Sequence, residues 1–180
     1  MSQPSSSLTV EQLRALNNPV RLQILTSLRA NGPATVGELA GRLALQEHLL
    51  FYHVKLMASC GLLRPIGTRP TSTKPVNVYA AKAPGTAAGL DYNDPGVREA
   101  VCRNVTTVMR TAAKEYEAAA ARQPDAMDDK SAMMRVSIRI APDCRDELNA
   151  RMKALTTWLA DQRDDNGEAF SLTMLLTPLS

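Results

Sequence analysis

The sequence contains few of the residue types on which catalytic and metal sites depend. It has two histidines, His48 and His53, and three cysteines, Cys60, Cys102 and Cys144, among 180 residues. The cysteines are odd in number and form no Cys-x-x-Cys pair, which argues against a disulfide framework and a zinc ribbon. Two histidines offer little material for a catalytic relay, and the sequence has no glycine-rich phosphate loop or carboxylate cluster. We therefore expect no enzyme activity, no metal site and no cofactor.

Long apolar runs are missing as well. Nothing approaches the roughly 18 consecutive apolar residues that span a bilayer, and residues 1–7 lack the basic flank and apolar stretch of a signal peptide. Hydrophobic residues make up 44% and charged residues 22% of the chain, which is typical of globular proteins. These features predict a folded, cytoplasmic protein without a membrane partner.

Acidic residues are scarce in the first half of the chain. Residues 1–90 contain nine lysines and arginines against three acids, a net charge of +6, whereas residues 91–180 contain 12 against 15, a net charge of −3. A basic surface attracts polyanions because neutralised phosphates release their condensed counterions. The first half is therefore a candidate nucleic-acid-binding part, although a solvated basic surface has the same composition.

Capping signals divide the first 61 residues into helices. Thr9-Val-Glu-Gln12 and Thr35-Val-Gly-Glu38 are capping boxes, in which the threonine and the residue three positions later satisfy each other's free backbone N–H groups. Asn18-Pro19 is typical of a helix start, and Asn31-Gly32 and Gly61 are typical of helix ends. The predicted helices cover about residues 9–16, 19–30, 36–43 and 46–60.

The apolar pattern then changes from helical to strand-like. Residues 62–66 and 76–81 have the composition of strands, and the turn-rich residues 67–75 between them carry two cations, Arg69 and Lys74. This predicts a two-stranded ribbon after the fourth helix.

Composition also sets the predicted domain boundaries. Residues 1–7 are rich in serine and predict a disordered tail, and residues 83–93 are rich in alanine and glycine and predict a linker. Residues 8–82 then form the first part, and residues 94–180 form the second.

A long helix is predicted to begin the second part. Asp94-Pro95 is typical of an N-cap followed by a first-turn proline, and an apolar stripe continues to about Arg122. A helix of this length, about 39 Å, either packs within its own subunit or pairs with its twin, and we favour dimerisation. The predicted dimerisation residues are Val97, Val101, Val105, Val108, Ala112 and Tyr116.

The rest of the tail predicts a β-α-β unit. After an acidic loop over residues 124–130, apolar and polar residues alternate from Met134 to Ile140; a helix follows to about Arg163, and a last strand covers residues 170–174. Two strands joined by one helix run parallel with a right-handed crossover. A two-stranded sheet is marginal alone, so the helices or a second subunit must complete it.

Several blocks in the first part resemble one family of regulators. The blocks are Leu16-Asn-Asn-Pro19-Val-Arg21-Leu-Gln-Ile24-Leu25, Gly37-Glu38-Leu39-Ala40, Tyr52-His53-Val-Lys55-Leu and Gly61-Leu-Leu63. Together they resemble the ArsR-type winged helix-turn-helix regulators of bacteria, over about residues 9–82. The resemblance implies a winged helix-turn-helix domain and a dimeric, DNA-binding transcription factor, often a repressor that a small-molecule effector releases. The predicted fold is mainly α with a small β part (α+β): this domain, the long helix and a β-α-β C-terminal dimerisation or effector part.

The fourth helix has a face suited to the major groove of double-stranded DNA. An α-helix fits that groove and can reach base edges, while cations bind phosphates. His48 and Tyr52 can donate hydrogen bonds, whereas Leu49 and Phe51 offer apolar contact, for instance to a thymine methyl group. The predicted DNA-binding residues are Gln46, His48, Leu49, Phe51, Tyr52 and Lys55 on this helix, with Arg69 and Lys74 in the ribbon. A dimer would require a palindromic operator.

Some residues of this helix also allow a different function. Glu47 near phosphates would cost affinity unless it accepts from a cytosine amino group or caps the helix. The apolar patch of Leu49, Phe51 and Tyr52 could instead bind a protein, which makes a winged-helix protein-protein interaction module the alternative. His53 falls on the opposite side of the helix, and we expect it to be a packing residue.

The three cysteines and several large apolar residues of the tail each allow a structural and a functional interpretation. We expect each of Cys60, Cys102 and Cys144 to be buried, although Cys144 lies near a helix start, where the thiol pKa can fall and redox activity can follow. Trp158, Met152, Met174 and Phe170 could line an apolar effector cavity, but we favour simple core positions for them.

Overall fold

The structure is a computed structural model that describes residues 7–71, 74–82, 89–162, 164 and 167–178. The chain is mainly helical with one small antiparallel sheet, which confirms the predicted α+β class. It divides into two compact units, Met1–Glu117 with Ala169–Ser180 and Ala118–Glu168. The predicted disordered tail, apart from residue 7, and residues 83–88 of the predicted linker lie outside the described residues.

Four helices form in the first part of the chain, as the capping signals predicted. They are α1 (Val10–Leu16), α2 (Pro19–Ala30), α3 (Val36–Leu43) and α4 (Glu47–Ser59). Both capping boxes are present. The backbone N–H of Gln12 donates to Thr9 Oγ1 over 3.2 Å, and that of Thr35 donates to Glu38 Oε2 over 2.8 Å. Each box satisfies donors that a helix start otherwise leaves unpaired.

The core of the first unit lies between these helices. Its largest fully buried side chains include Leu13, Ile24, Leu39, Leu50 and Met57, so that all four helices contribute. Burial of one such side chain stabilises the fold by about 1.5–3 kcal/mol. The helical spacing of the apolar residues therefore fixes which face of each helix turns inward.

A β-hairpin packs against α4 and completes the core. Its strands are β1 (Leu63–Arg69) and β2 (Val76–Ala81), which pair antiparallel with a bulge between Pro65 and Gly67. β2 also pairs with the residue just before α3, since the N–H and C=O groups of Ala34 and Tyr79 exchange hydrogen bonds of 3.0 and 2.8 Å. These bonds tie the hairpin to the start of α3.

The long helix forms where the sequence predicts it. Helix α5 (Pro95–Arg122) follows Asp94, whose carboxylate accepts the N–H of Gly96 over 2.7 Å. Val97, Ala100 and Thr111 are buried along one side. Of the helices in the described part of the chain, none combines the length and hydropathy that crossing a membrane requires.

The predicted acidic loop is wrong. Residues 124–130 form a 3₁₀ turn (Pro124–Ala126) followed by the short helix α6 (Met127–Lys130). Ser131 closes this helix, because its N–H and its hydroxyl both donate to the carbonyl of Met127, over 3.0 and 2.7 Å.

The two strands predicted for the tail are absent from the described residues, which corrects the β-α-β prediction. Residues 131–140 and 168–178 have no strand pairing, and only the helix between them forms, as α7 (Cys144–Asp161). Alternation of apolar side chains defines the two faces of a strand but provides neither a partner nor a cover. Arg163, the predicted end of this helix, lies outside the described residues.

Several predicted core residues are exposed as a result. α7 has no buried residue, and Trp158 is 56% and Phe170 69% exposed, so these two are not the core residues that we favoured. Cys60 is half-buried, whereas Cys102 and Cys144 are exposed, which corrects their predicted burial. Cys144 is exposed because it opens α7, and Cys102 is exposed because it lies off the buried side of α5.

Candidate nucleic-acid interface

Helix α4 separates a buried side from an exposed side. Leu50, Val54 and Met57 are at most 1% exposed and hold the helix against the core. The predicted contact residues of α4 and its N-cap are all exposed: Gln46, His48, Leu49, Phe51, Tyr52 and Lys55. We call this set the α4 face. It combines two hydrogen-bonding rings, an amide, a cation and two apolar groups.

Defined turns fix both ends of α4. Before the helix, Ala44 adopts the left-handed conformation at φ +52°, and the N–H of Leu45 donates to the carbonyl of Ala40 over 3.0 Å. After the helix, Gly61 turns the chain at φ +74°, and the Gln12 side chain donates to the carbonyl of Cys60 over 3.0 Å. The orientation of the α4 face therefore depends on the short connections to α3 and β1.

The hairpin carries the two predicted phosphate contacts, Arg69 at the end of β1 and Lys74 in the loop, and both are exposed. They differ in their surroundings. The Arg69 guanidinium forms an ion pair with the carboxylate of Glu38 on α3. The backbone of Lys74 is held by Thr71, whose hydroxyl accepts the Lys74 N–H over 3.3 Å and donates to its carbonyl over 2.7 Å.

The ion pair joins α3 to the hairpin. The sequence predicted Glu38 as a member of a capping box but did not predict that it also pairs with Arg69. The hydrogen bond from the backbone N–H of Thr35 is the main cause that holds the pKa of the Glu38 carboxyl below its usual value; burial opposes it, and the charge of Arg69 lowers the pKa further. Glu38 is therefore ionised at neutral pH and partly neutralises Arg69. Capping alone accounts for Glu38 in the sequence, and its partner lies 31 residues further along the chain.

The other acid near this surface is Glu47, in the first turn of α4. Its Oε2 lies 3.5 Å from the position that a Cβ on Gly37 would take. Gly37 belongs to the first turn of α3, where the positive end of the helix dipole favours a carboxylate. Glu47 is thus placed to stabilise the α3–α4 pair.

Some cations of the basic first half are bound to protein acceptors. Arg21 donates to the carbonyl of Ala15, and Arg42 donates to the carbonyl of Gly32 over 3.0 Å. Others are exposed, and these include Lys55, Arg64, Lys74 and Lys82. Arg64 on β1 was not among the predicted contacts, because a cation within a strand pattern carries no local signal of function.

His53 lies on the core side of α4, as the helical wheel predicted. Its side chain is half-buried, and its Nδ1 is buried without a hydrogen-bond partner among the described residues. Burial, and to a lesser extent the charge of Arg21, lower the pKa of His53. The ring also stands edge-on to Tyr52, with 5.6 Å between the ring centroids, so it supports one member of the α4 face.

The predicted dimerisation stripe of α5 is partly covered within the single chain. Val97 is buried, and Tyr116 is 50% exposed. The other four members, Val101, Val105, Val108 and Ala112, are half-buried. Tyr116 is therefore the member of the stripe with the most surface left for a partner.

Comparisons with known proteins assign no family to this chain. Within the described residues, no group of three or more histidine, cysteine or acidic side chains is arranged to hold a metal ion. No protein-family model matches the sequence, and no curated protein shows significant similarity to it. The candidate interface is therefore interpreted from its own chemistry.

Proposed function

We propose that the protein is a sequence-specific, DNA-binding transcriptional regulator, and that residues 8–82 act as a winged helix-turn-helix domain. The observation that carries this proposal is the exposure of the whole α4 face, while the opposite side of the same helix is sealed in the core. An exposed helix of this width fits the major groove of B-form DNA. The hairpin after it then acts as the wing.

The chemistry of the exposed groups supports a division of labour. His48, Tyr52 and Gln46 can form hydrogen bonds with base edges, and Leu49 and Phe51 can contact thymine methyl groups. Cations contact phosphates, which fix the register of a protein on the duplex but carry no direct sequence information.

Lys55 and Lys74 are the cations we assign to the phosphate backbone. Both side chains are exposed, and neither ammonium group has a hydrogen-bond or ion-pair partner among the described residues that a phosphate would have to displace. Arg69 must share its charge with Glu38, so we assign it a smaller part in binding.

Repression and homodimerisation are also part of the proposal, and both rest on the resemblance to ArsR-type regulators. In a two-fold dimer, two recognition helices lie about 34 Å apart and read two half-sites of a palindrome. A small-molecule effector would act by changing that spacing. The α5 stripe is the dimer contact that the sequence suggests.

Electrophoretic retardation of genomic DNA fragments tests this proposal. We expect binding at low salt that weakens steeply as salt is raised, because counterion release drives phosphate contacts. A subset of fragments should stay bound in the presence of excess competitor DNA. Absence of retardation at low salt would contradict the proposal.

A second candidate function is protein binding by the same face. The specific observation is that Leu49, Phe51 and Tyr52 are 52%, 55% and 65% exposed, and exposed apolar patches mark interaction sites. A winged-helix interaction module would use these three side chains as anchors and would not require the cations. Stoichiometric capture of one protein, abolished by Phe51→Ala and unaffected by Lys74→Ala, with no DNA retardation at low salt, would select this function.

A further inference from the structure

The unit Ala118–Glu168 exposes several large apolar side chains. Its large apolar side chains that are 39–94% exposed are Met133, Met134, Val136, Ile138, Ile140, Leu155, Trp158 and Leu159. They expose on the order of 1,000 Å² together. A standard protein interface buries about 800 Å² per partner. The amount of exposed apolar surface thus suits an interface.

The backbone N–H and C=O groups of residues 132–140, before α7, lack hydrogen-bond partners among the described residues. The N–H of Ser131 bonds to Met127 and that of Cys144 bonds to Ala141, but residues 132–140 form no backbone hydrogen bond with another described residue. Every second side chain of this segment, from Met134 to Ile140, is apolar. A segment whose N–H and C=O groups have no partner among the described residues, and whose alternate side chains are apolar, can serve as a template for pairing with another strand.

We propose that residues 132–140 pair in antiparallel fashion with the same residues of a second copy of this chain, centred on Val136. In this register Val136 lies opposite its own copy, Met134 lies opposite Ile138, and Ala132 lies opposite Ile140. All these side chains share one face, because residues two apart point the same way and opposed residues share a face. The paired length matches the nine residues whose backbone is unpaired.

Charge selects this register over the neighbouring one. Centring the pair on Ser137 would place Arg135 opposite Arg139, and like charges directly opposite each other are destabilising. Centring it on Val136 places each Arg135 opposite Ser137, which can accept a hydrogen bond from the guanidinium. Centring it on Ile138 would draw in Pro142, which has no N–H to donate.

Helix α7 supplies a cover for the apolar face. Leu148, Met152, Leu155 and Leu159 follow the spacing of one helix side, and none of them is buried in the single chain. A two-stranded sheet is marginal unless a helix packs on it, and each copy brings one such helix. The proposal concerns self-association alone and does not rest on DNA binding.

Disulfide trapping in the full-length chain tests the register. Val136→Cys is introduced together with Cys102→Ser and Cys144→Ser, which leaves the half-buried Cys60 as the remaining native cysteine. We expect a disulfide between two chains on oxidation, since directly opposed Cβ atoms lie about 4.5–5.5 Å apart. The same background with the native Val136 should give none. Cross-linking that is stronger from Ser137→Cys or Ile138→Cys would overturn this register.

Hydrogen exchange supplies a second readout in the full-length chain. We expect alternate amides of residues 132–140 to exchange at least about 10-fold more slowly in the wild type than in Val136→Lys. Phe170→Lys is the matched control, because Phe170 and Val136 are both 69% exposed, and it should leave the protection unchanged. Protection without an interchain disulfide would mean pairing within one chain and would overturn the proposal. The proposal would also be overturned if these amides were unprotected in the wild type, or if both Val136→Lys and Phe170→Lys abolished the protection.

Discussion

Among single residues, His53 links the fold of the first unit to pH. Burial and the charge of Arg21 lower its pKa from the ordinary value of 6.5, so the folded state prefers the neutral ring. The unfolded chain binds a proton at about pH 6.5, before the folded protein does. The stability that His53 contributes is therefore complete above pH 6.5 and is lost as the pH falls below it.

We predict that the free energy of unfolding, measured with urea, decreases between pH 7 and pH 5. In His53→Gln this decrease should be smaller, because the variant has no titrating ring at that position. Glu38 does not confound the comparison, because both proteins contain it and the stability that its lowered pKa contributes is lost mainly as the pH falls below the ordinary value of 4.5. An equal decrease in both proteins would show that His53 is not the group responsible.

Two glycines form a matched pair for testing the local backbone. Gly61 has φ +74°, and a Cβ there would lie 3.3 Å from Lys82 Nζ, whereas a Cβ on Gly41 in α3 would meet nothing within 4 Å. We predict that Gly61→Ala destabilises the protein by about 1–2 kcal/mol. Gly41→Ala should stabilise it by up to about 1 kcal/mol. Thermal or urea unfolding measures both, and equal effects of the two changes would contradict the assigned turn at Gly61.

At the scale of elements, the proposed function assigns separate roles in DNA binding to α4 and the hairpin. We predict that Lys74→Ala weakens binding to all sequences alike and lowers the salt slope of log K by about 1, as loss of one phosphate contact does. His48→Ala or Tyr52→Ala should instead change the preference among sequences. Lys114→Ala, an exposed cation of α5, is the matched control and should change neither. Identical behaviour of Lys74→Ala and Tyr52→Ala in binding titrations would contradict this division.

The ion pair between α3 and the hairpin leads to a further prediction. Glu38→Gln keeps a side chain that can complete the capping box, removes one negative charge and releases Arg69. We therefore predict that this variant binds DNA about 2–5-fold more tightly at low salt. Arg69→Ala should abolish that gain when it is combined with Glu38→Gln. Binding titrations at two salt concentrations measure the effect, and weaker binding by Glu38→Gln would contradict the role given to the pair.

Elements with local signals could be predicted from the sequence. Thr9, Thr35 and Asn18 mark helix starts through bonds to residues three positions away, and such short-range bonds are readable in a single sequence. The alternation from Met134 to Ile140 was equally clear, yet no strand formed there. Pairing needs a partner strand, which a local pattern does not supply.

The candidate site was predictable to the same extent. The helical period placed Leu50 inside and Tyr52 outside, and both positions agree with the structure. The ion pair of Arg69 with Glu38 was not predictable, because it depends on how the hairpin folds back towards α3. The helical period of the sequence predicts which side chains of α4 are exposed, whereas an ion pair between residues far apart in the chain can be identified only from the folded structure.

At the scale of the whole molecule, charge divides the chain more sharply than its modest net charge of +3 suggests. The basic residues 1–90 contain the α4 face and the hairpin, and the acidic residues 91–180 contain α5 and α7. An acidic second half would be repelled by the duplex and would leave the basic half to make contact.

The most direct test of the account is a competition measurement with a DNA site selected from genomic fragments by the wild-type protein. The ratio of its affinity to that for random DNA is compared between wild type and Tyr52→Ala at one salt concentration. We predict that this ratio falls by about 5-fold or more, as loss of a base contact of about 1–3 kcal/mol requires, while affinity for random DNA is unchanged. An unchanged ratio, or a wild type that selects no site at all, would contradict it.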